Sequence, residues 1–341
     1  MAGKAPTMED VAARAGVSRA LVSLVMRGSP KVGPARREAV LTAAAELGYA
    51  PHAMARRLAS RESNVLAVLV SDLHNPYFAE IVDGADGAAR DVGFEVIIGS
   101  GGRRAAWERR AVETLLSFQP AGLILLSPVV PTTVIERAAG RTAVVAVERE
   151  VRLDAVDTVT DDGATGSRLV VDHLVGLGHR RIVHLDGGHG AQASTRRRGF
   201  VDAARNHGLD PWVVPSEHTE EAGDAAMRRI VATGRPFTAV AAANDVNAVG
   251  ALAALAEVGL RVPEDVSVVG YDNTSLSGLR HIGLTTVNQP REEMGQLAVR
   301  AVIERLREGR TRPLRRRLDP SLVIRRTTAP PTEEAAAAAG N

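Results

Sequence analysis

A chain of 341 residues, 45% hydrophobic and 24% charged, carries enough apolar material for two or three packed domains and reads as a soluble globular protein. It has no cysteine, which excludes disulfides, thiol nucleophiles and cysteine-ligated zinc; it also has no apolar leader in "MAGKAPTMED" and no uncharged apolar run near the roughly 20 residues that span a bilayer. The formal net charge of +2 hides an asymmetry, because residues 1–61 hold ten Lys/Arg against four Asp/Glu, a basic footprint suited to phosphates. Biased composition explains why nearly all these residues are arginine, but not their excess over acids in one segment. A cytoplasmic protein with no membrane association is the expectation.

In chain order, Thr7 and Asp10 have the spacing of an N-cap and its reciprocal carboxylate, opening a helix with Met8, Val11, Ala12 and Ala15 on one face. Gly16 ends it at a sharp turn, and Ser18 caps a second helix in which Leu21, Val22 and Val25 recur before Gly28. A small residue, a turn glycine four positions on and an aliphatic six beyond it (Ala12, Gly16, Val22) form the helix-turn-helix pattern. The bland alternative, a helical hairpin inside a larger fold, fits poorly with the terminal position and local positive charge. A third helix begins at Pro34, an N1-type proline, and stops at Gly48; a short helix is expected over His52 to Ser60, between Pro51 and the polar "SRES".

From Val65 the pattern changes. The runs "VLAVLV", "FEVIIG", "GLILLS" and "TAVVAVE" are aliphatic without polar alternation, as expected of parallel strands covered on both faces, and "RIVHLDG", "WVVPSE", "TAVAAAND" and "VSVVGYDN" repeat the arrangement. Periodicity therefore predicts an α/β core of two doubly wound parallel-sheet subdomains. Open parallel sheets bind ligands outside the carboxyl ends of their strands, where Ser71, Asp72, His74, Asn75, Ser127, Glu148, Asn244, Asp245, Asp272 and Asn273 collect. Carboxylates, amides and a guanidinium over an aromatic floor suit the hydroxyls and apolar faces of a sugar, although any α/β protein has polar strand ends.

Enzyme readings find little support. "GSGGRR" and "DGGHGAQAS" offer glycines but neither G-x-G-x-x-G nor a P-loop, and no nucleophile elbow is present. His179, His184, Asp186 and His189 suggest a metal, yet His184 within a strand and His179 in a turn read as structural, so no metal or cofactor is expected.

The motifs "TMEDVAARAGVSRALVS", "ARREAVLTAAAELGYAPHAMARRLAS", "NPYFAEIVDG", "HLVGLGHRRIVHLDG", "AAANDVNAVGALAALAEVGLRVPEDVSVVGYDN" and "LTTVNQP" run in order from Thr7 to about Arg326. With these the chain resembles the lactose-repressor (LacI/GalR) family of bacterial transcription regulators. The resemblance implies a helix-turn-helix DNA-binding domain over 1–50, a hinge helix over 51–61, and a periplasmic-binding-protein-like core over 62–329. It places the N-subdomain at about 62–160 and 290–318 and the C-subdomain at about 161–289 and 319–329, with a disordered tail at 330–341. It implies a homodimer on pseudopalindromic double-stranded operator DNA and allosteric control by a small sugar-like effector.

By the same resemblance Thr7, Ser18, Arg19, Ala20, Leu21, Ser23 and Arg27 face DNA, and Leu58 wedges into the minor groove beside its dimer mate. Leu21 and Leu24 stand where a threonine and an arginine are usual, and Met26-Arg27 replaces leucine-asparagine, which leaves the operator sequence open. Asn75, Tyr77, Phe78, Ser127, Glu148, Arg196, His218, Asn244, Asp272 and Gln289 are the effector positions, with His218 where other members stack an aromatic. A sugar-uptake binding protein would need export and no DNA-binding head, and a phosphoprotein signal would not need Arg196 with Asp272.

Overall fold

The computed structural model describes residues 6–26, 29–49, 63–188, 190 and 192–332, in two compact units that divide between Ser63 and Asn64. The first unit has three helices, α1 (Met8–Ala15), α2 (Arg19–Met26) and α3 (Pro34–Leu47). The Thr7–Asp10 capping box starts α1, and Gly16 ends it at φ +63°, a conformation that costs a side chain-bearing residue energy. Val11, Val22, Val25 and Val40 interlock with Ala12, Ala43 and Ala44 as the core, so the alanines set how closely the helices approach. The short helix expected over 52–60 lies outside the described residues.

The second unit contains two six-stranded sheets. In chain order the first half runs β1 (Val65–Val70), α4 (Pro76–Asp91), β2 (Glu95–Ser100), α5 (Ala105–Ser117), β3 (Gly122–Leu126), α6 (Thr132–Ala139), β4 (Ala143–Val147) and β5 (Val156–Asp161). The second half runs α7 (Gly163–Gly176), β6 (Ile182–Leu185), α8 (Ala193–Asn206), β7 (Trp212–Val214), α9 (Glu220–Ala232), β8 (Ala239–Ala241), α10 (Asp245–Glu257), β9 (Ser267–Asp272) and β10 (Thr285–Asn288). The chain then returns through α11 (Arg291–Arg307) to β11 (Arg315–Leu318) and crosses again to β12 (Ser321–Val323).

The strand orders are β11-β5-β4-β3-β1-β2 and β12-β10-β9-β8-β6-β7. Each is doubly wound, reversing direction between β1 and β3 in one sheet and between β6 and β8 in the other, where a crevice opens at the carboxyl ends. Each sheet buries aliphatic clusters on both faces, β1, β3 and β4 being wholly covered except at Ala143.

Two strand expectations need correction. "FEVIIG" belongs to an edge strand that is nowhere fully buried, because β2 has a neighbour on one side only; Ile98 is 52% exposed. The second sheet is not wholly parallel, since β12 runs antiparallel to β10. The strands β5, β10, β11 and β12 escaped the periodicity reading because "VDTVTD", "TTVN", "RRRL" and "SLV" contain no continuous aliphatic run. Asp157 is tolerated inside β5 because Arg305 and Arg310 meet its two oxygens at 2.7 to 3.0 Å. Pro331 rests beside Gly178, and residues 333–341 lie outside the described chain.

Candidate DNA-binding helix and effector cleft

In the first unit, Ser18 accepts the Leu21 N–H at 3.2 Å and so starts α2 with its first turn directed outward. Val22 and Val25 are buried on one side; Ser18, Arg19 and Ala20 are exposed on the other, and Leu21 and Ser23 are half-buried at the boundary. Arg19 pairs with Glu9 at 2.9 Å, but both side chains are about two-thirds exposed, so little energy holds the guanidinium there. Thr7 is occupied by the cap of α1, whose dipole end it marks. Arg27 and Leu58 lie outside the described residues.

In the second unit, the carboxyl ends of the two sheets enclose an inner cavity of about 70 Å³. Nine of the ten expected effector residues line it: Asn75, Tyr77, Phe78, Ser127, Glu148, Arg196, His218, Asn244 and Asp272. Gln289 sits behind the wall, donating to Asp272 Oδ1 at 2.6 Å and accepting from the Tyr77 hydroxyl at 3.1 Å. The strand ends are strained toward the cavity, with Ser127, Glu148 and Asp272 at φ +48°, +63° and +118°, conformations that concentrate at functional sites.

The centre of the site is Arg196 on the first turn of α8, only 5% exposed. Its Nη2 lies 3.5 Å from Glu148, its Nη1 lies 3.8 Å from Asp272, and its guanidinium stacks 3.8 Å over the Tyr271 ring. Tyr271 in turn donates to Asp161 at 2.5 Å. Three buried carboxylates therefore share one cation. Burial outweighs its help, pushing Glu148 and Asp272 up to about 8 and raising Asp161, each also raised by a neighbouring acid. For Arg196 burial works against the charge, but Tyr271 and the three carboxylates together hold it above its ordinary value. His218 is driven down to about 3 by burial and by Arg196, so its ring is neutral where it packs against Gly187 and Gly190.

Two buried donors in this wall have no partner: Arg196 Nε and Asn244 Nδ2. Asn244 uses its oxygen to cap α10, accepting the Asn247 N–H at 2.8 Å, which turns the amide nitrogen away from the helix. Leaving a buried donor unsatisfied costs about 1–3 kcal/mol, which a ligand acceptor would recover.

Residues 7–52 match the family described as bacterial regulatory proteins, lacI family, and residues 171–328 match a periplasmic binding protein-like domain. The chain is 34% identical over 330 residues to the HTH-type transcriptional repressor CytR of Escherichia coli, covering 95% of this chain and 96% of that one. It is 35% identical over 339 residues to the HTH-type transcriptional regulator CelR of Thermobifida fusca, covering 94% and 97%. The chain belongs to the lacI family of bacterial regulatory proteins. Among solved structures, the lac repressor dimer bound to operator and the anti-inducer ONPF matches with TM-score 0.81 and 30% identity over 96% of this chain and 100% of that one. A CelR–cellobiose complex matches with TM-score 0.72 and 33% identity over 94% and 99%.

In this lacI-family chain several cleft residues went unrecognised in the sequence. Arg103, at φ +57° after β2, enters the cavity wall between Asp72 and Glu217. Glu108, fully buried, accepts from Val129 N at 2.7 Å, Val130 N at 3.0 Å and Ser71 Oγ at 2.6 Å, tying together the loops after β1 and β3; burial raises its carboxyl. A signal existed: Glu108 falls in helical phase with buried Val112, Leu115 and Leu116, where a carboxylate needs an internal role. His179 and His184 have structural partners, Thr238 and the Ala329 carbonyl for one and the Ala241 carbonyl for the other. Among the described residues no group of three His, Cys, Asp or Glu could hold a metal, and no helix is long and apolar enough to cross a membrane.

Proposed function

We propose that this protein is a cytoplasmic, homodimeric transcriptional repressor, not an enzyme, that binds a pseudopalindromic operator and is released by a carbohydrate effector. In this reading α2 enters the major groove, where Arg19 and Ala20 read bases and Ser18 and Ser23 meet phosphates, with Thr7, Leu21 and Arg27 also facing the DNA. Residues 51–61 act as a hinge whose Leu58 pairs with its mate at the centre of the site, and 62–329 form the effector core. Two-fold DNA needs two heads, which is the physical reason for the dimer.

One observation carries the effector half of this reading. The cavity wall presents unpartnered donors, Arg196 Nε and Asn244 Nδ2, beside the acceptors Glu148 and Asp272. Hydroxyl groups, which both donate and accept, complete that set better than any purely donating or accepting ligand. A lacI-family neighbour holds cellobiose and another holds ribose, consistent with the same ligand class.

A thermal-shift screen of sugars, polyols and nucleosides against the full chain tests this. A ligand at 100 times its Kd stabilises the native state by about 2.7 kcal/mol. Sugars are expected to raise Tm; a rise with nucleosides alone would replace the carbohydrate reading, and no rise with any of them would remove it.

A further inference from the structure

Glu108 is fully buried on α5 and does not line the inner cavity, yet it holds a piece of the wall that does. It reaches that depth because Gly101, in the loop after β2, has no side chain: a Cβ there would run into Glu108 Cγ. Of the loop formed by residues 127–130 after β3, Ser127 and Val129 face the cavity. Glu108 Oε2 accepts the Val129 and Val130 N–H groups, and Arg149 donates to the Pro128 carbonyl at 3.0 Å and to the Val130 carbonyl. Ser127, at φ +48°, brings its own carbonyl to 2.8 Å from Ser71 Oγ. The main chain of the loop is thus anchored by three side chains.

Ser71 has one proton for two contacts. Its hydroxyl lies 2.6 Å from Glu108 Oε1 and 2.8 Å from the Ser127 carbonyl oxygen, both within hydrogen-bond length. The carbonyl can only accept. An ionised Glu108 can only accept as well, so one of the two contacts would then set lone pair against lone pair in the interior, where an unmade hydrogen bond is costly. A proton on Glu108 removes the conflict: Oε1–H donates to Ser71 Oγ, and Ser71 Oγ–H donates to the Ser127 carbonyl. Oε2 is the wrong place for that proton, since it already accepts two N–H groups.

The surroundings pull in both directions. Burial pushes the Glu108 carboxyl up, while the hydrogen bonds from Ser71, Val129 and Val130 and the Arg149 guanidinium pull it down, and burial wins. The other charged groups on the elements around it are turned elsewhere: Asp72 and Arg103 face each other at 4.0 Å, Arg104 lies over the Trp107 ring, Glu148 faces Arg196 at 3.5 Å, and Glu136 and Arg137 of α6 are exposed. Resting on the effector-cleft reading for the use of this wall, we propose that Glu108 is a positioning residue that works as a neutral acid: its proton, relayed through Ser71 to the Ser127 carbonyl, fixes the loop 127–130 at the cleft. Ionisation turns the Ser71 proton toward Glu108 and releases the Ser127 carbonyl.

Infrared spectra of the full chain with isotope-labelled glutamate carboxyl carbons, taken at about pH 6, where an ordinary glutamate is ionised, test the proton directly. Glu148→Gln, which removes the other raised glutamate, should keep a labelled carboxylic-acid band that Glu108→Gln/Glu148→Gln lacks. Absence of the band from the single variant, or its survival in the double one, overturns the proposal. Denaturant titration reads the same proton as stability. A glutamine at 108 can accept the two N–H groups with its oxygen and donate to Ser71 with its amide, so Glu108→Gln imitates the acid. The wild type holds a proton that its unfolded chain loses above the ordinary value of 4.5, so its stability declines as pH rises from there until Glu108 ionises in the folded state too. Across that window the wild-type unfolding constant, divided by that of Glu108→Gln, should climb by up to about tenfold per pH unit. A ratio that is flat or falls with pH, as a merely structural carboxylate gives, overturns the proposal. Neither measurement uses a ligand, so both outcomes are independent of the carbohydrate reading.

Discussion

The helix α2 proposed to read DNA and the proposed effector cleft solve opposite physical problems. Around α2 the polar side chains are exposed and weakly held, as in the Arg19–Glu9 pair, while a small core of valines and alanines carries stability. In the cleft the polar side chains are themselves the interior: Arg196, Glu148, Asp161 and Asp272 are each no more than 5% exposed. Function and stability are separable in the first region and entangled in the second. A substitution on the recognition helix should change binding alone, whereas one in the cleft should change folding as well.

The largest effect is expected from Arg196→Ala. Removing the cation leaves the buried Asp161 without its guanidinium beside the raised Glu148 and Asp272, a change of about 3–5 kcal/mol for a broken buried pair. The low end applies, because Glu148 and Asp272, raised to about 8, already hold most of their protons at neutral pH. A Tm drop of roughly 6–12 °C at neutral pH is expected by calorimetry, and a drop of only a degree would show that the cluster is not electrostatically coupled.

Arg19→Ala should do the reverse. A bidentate contact to a base is worth about 1–3 kcal/mol of discrimination, while an exposed substitution costs within about 0.5 kcal/mol of stability. Competition between operator and random DNA should therefore lose roughly tenfold or more in specificity with Tm unmoved. Retention of the wild-type ratio would remove Arg19 from base reading.

A smaller effect follows from the raised carboxyls. With Glu148 and Asp272 near 8 in the folded core and near their ordinary values of 4.5 and 3.8 when unfolded, the native state holds protons that the unfolded chain has lost across that window. Their contribution to stability is thus present at the acid end and declines as pH rises to about 8. The Tm of the wild type should fall between pH 5.5 and 8.5 by a few degrees more than that of Glu148→Gln, which has no such proton to lose. Parallel profiles would contradict the shift.

The two regions also differed in what their sequences disclosed. The capping box at Thr7, the turn at Gly16 and the stop at Gly48 are local, each decided within a few residues, and all are found as read. The cleft was legible in part, since strand-end residues such as Asn75, Ser127 and Asp272 follow conspicuous aliphatic runs. Asp161 was missed because β5 mixes threonine and aspartate with valine, and its neighbours Arg196 and Tyr271 lie 35 and 110 residues away. Arg103 was missed for the same reason, its partners Asp72 and Glu217 lying far off in the chain, whereas Glu108 left a local trace as a carboxylate in helical phase with Val112, Leu115 and Leu116.

The central claim is that ligand in the cleft weakens the hold of α2 on DNA, and operator titration with and without the saturating sugar found in the screen tests it most directly. A helix as short as the one proposed over 52–60 would be marginal alone, so small changes in the spacing of two copies would bias its formation over DNA. A coupling of about 1–3 kcal/mol predicts that the sugar raises the operator Kd some 5- to 150-fold in the wild type. Asp272→Ala, which loses a cleft carboxylate and leaves the recognition helix untouched, should show no such rise at the same sugar concentration. An unchanged or lower operator Kd in the wild type with sugar bound, or an equal response from Asp272→Ala, would contradict it.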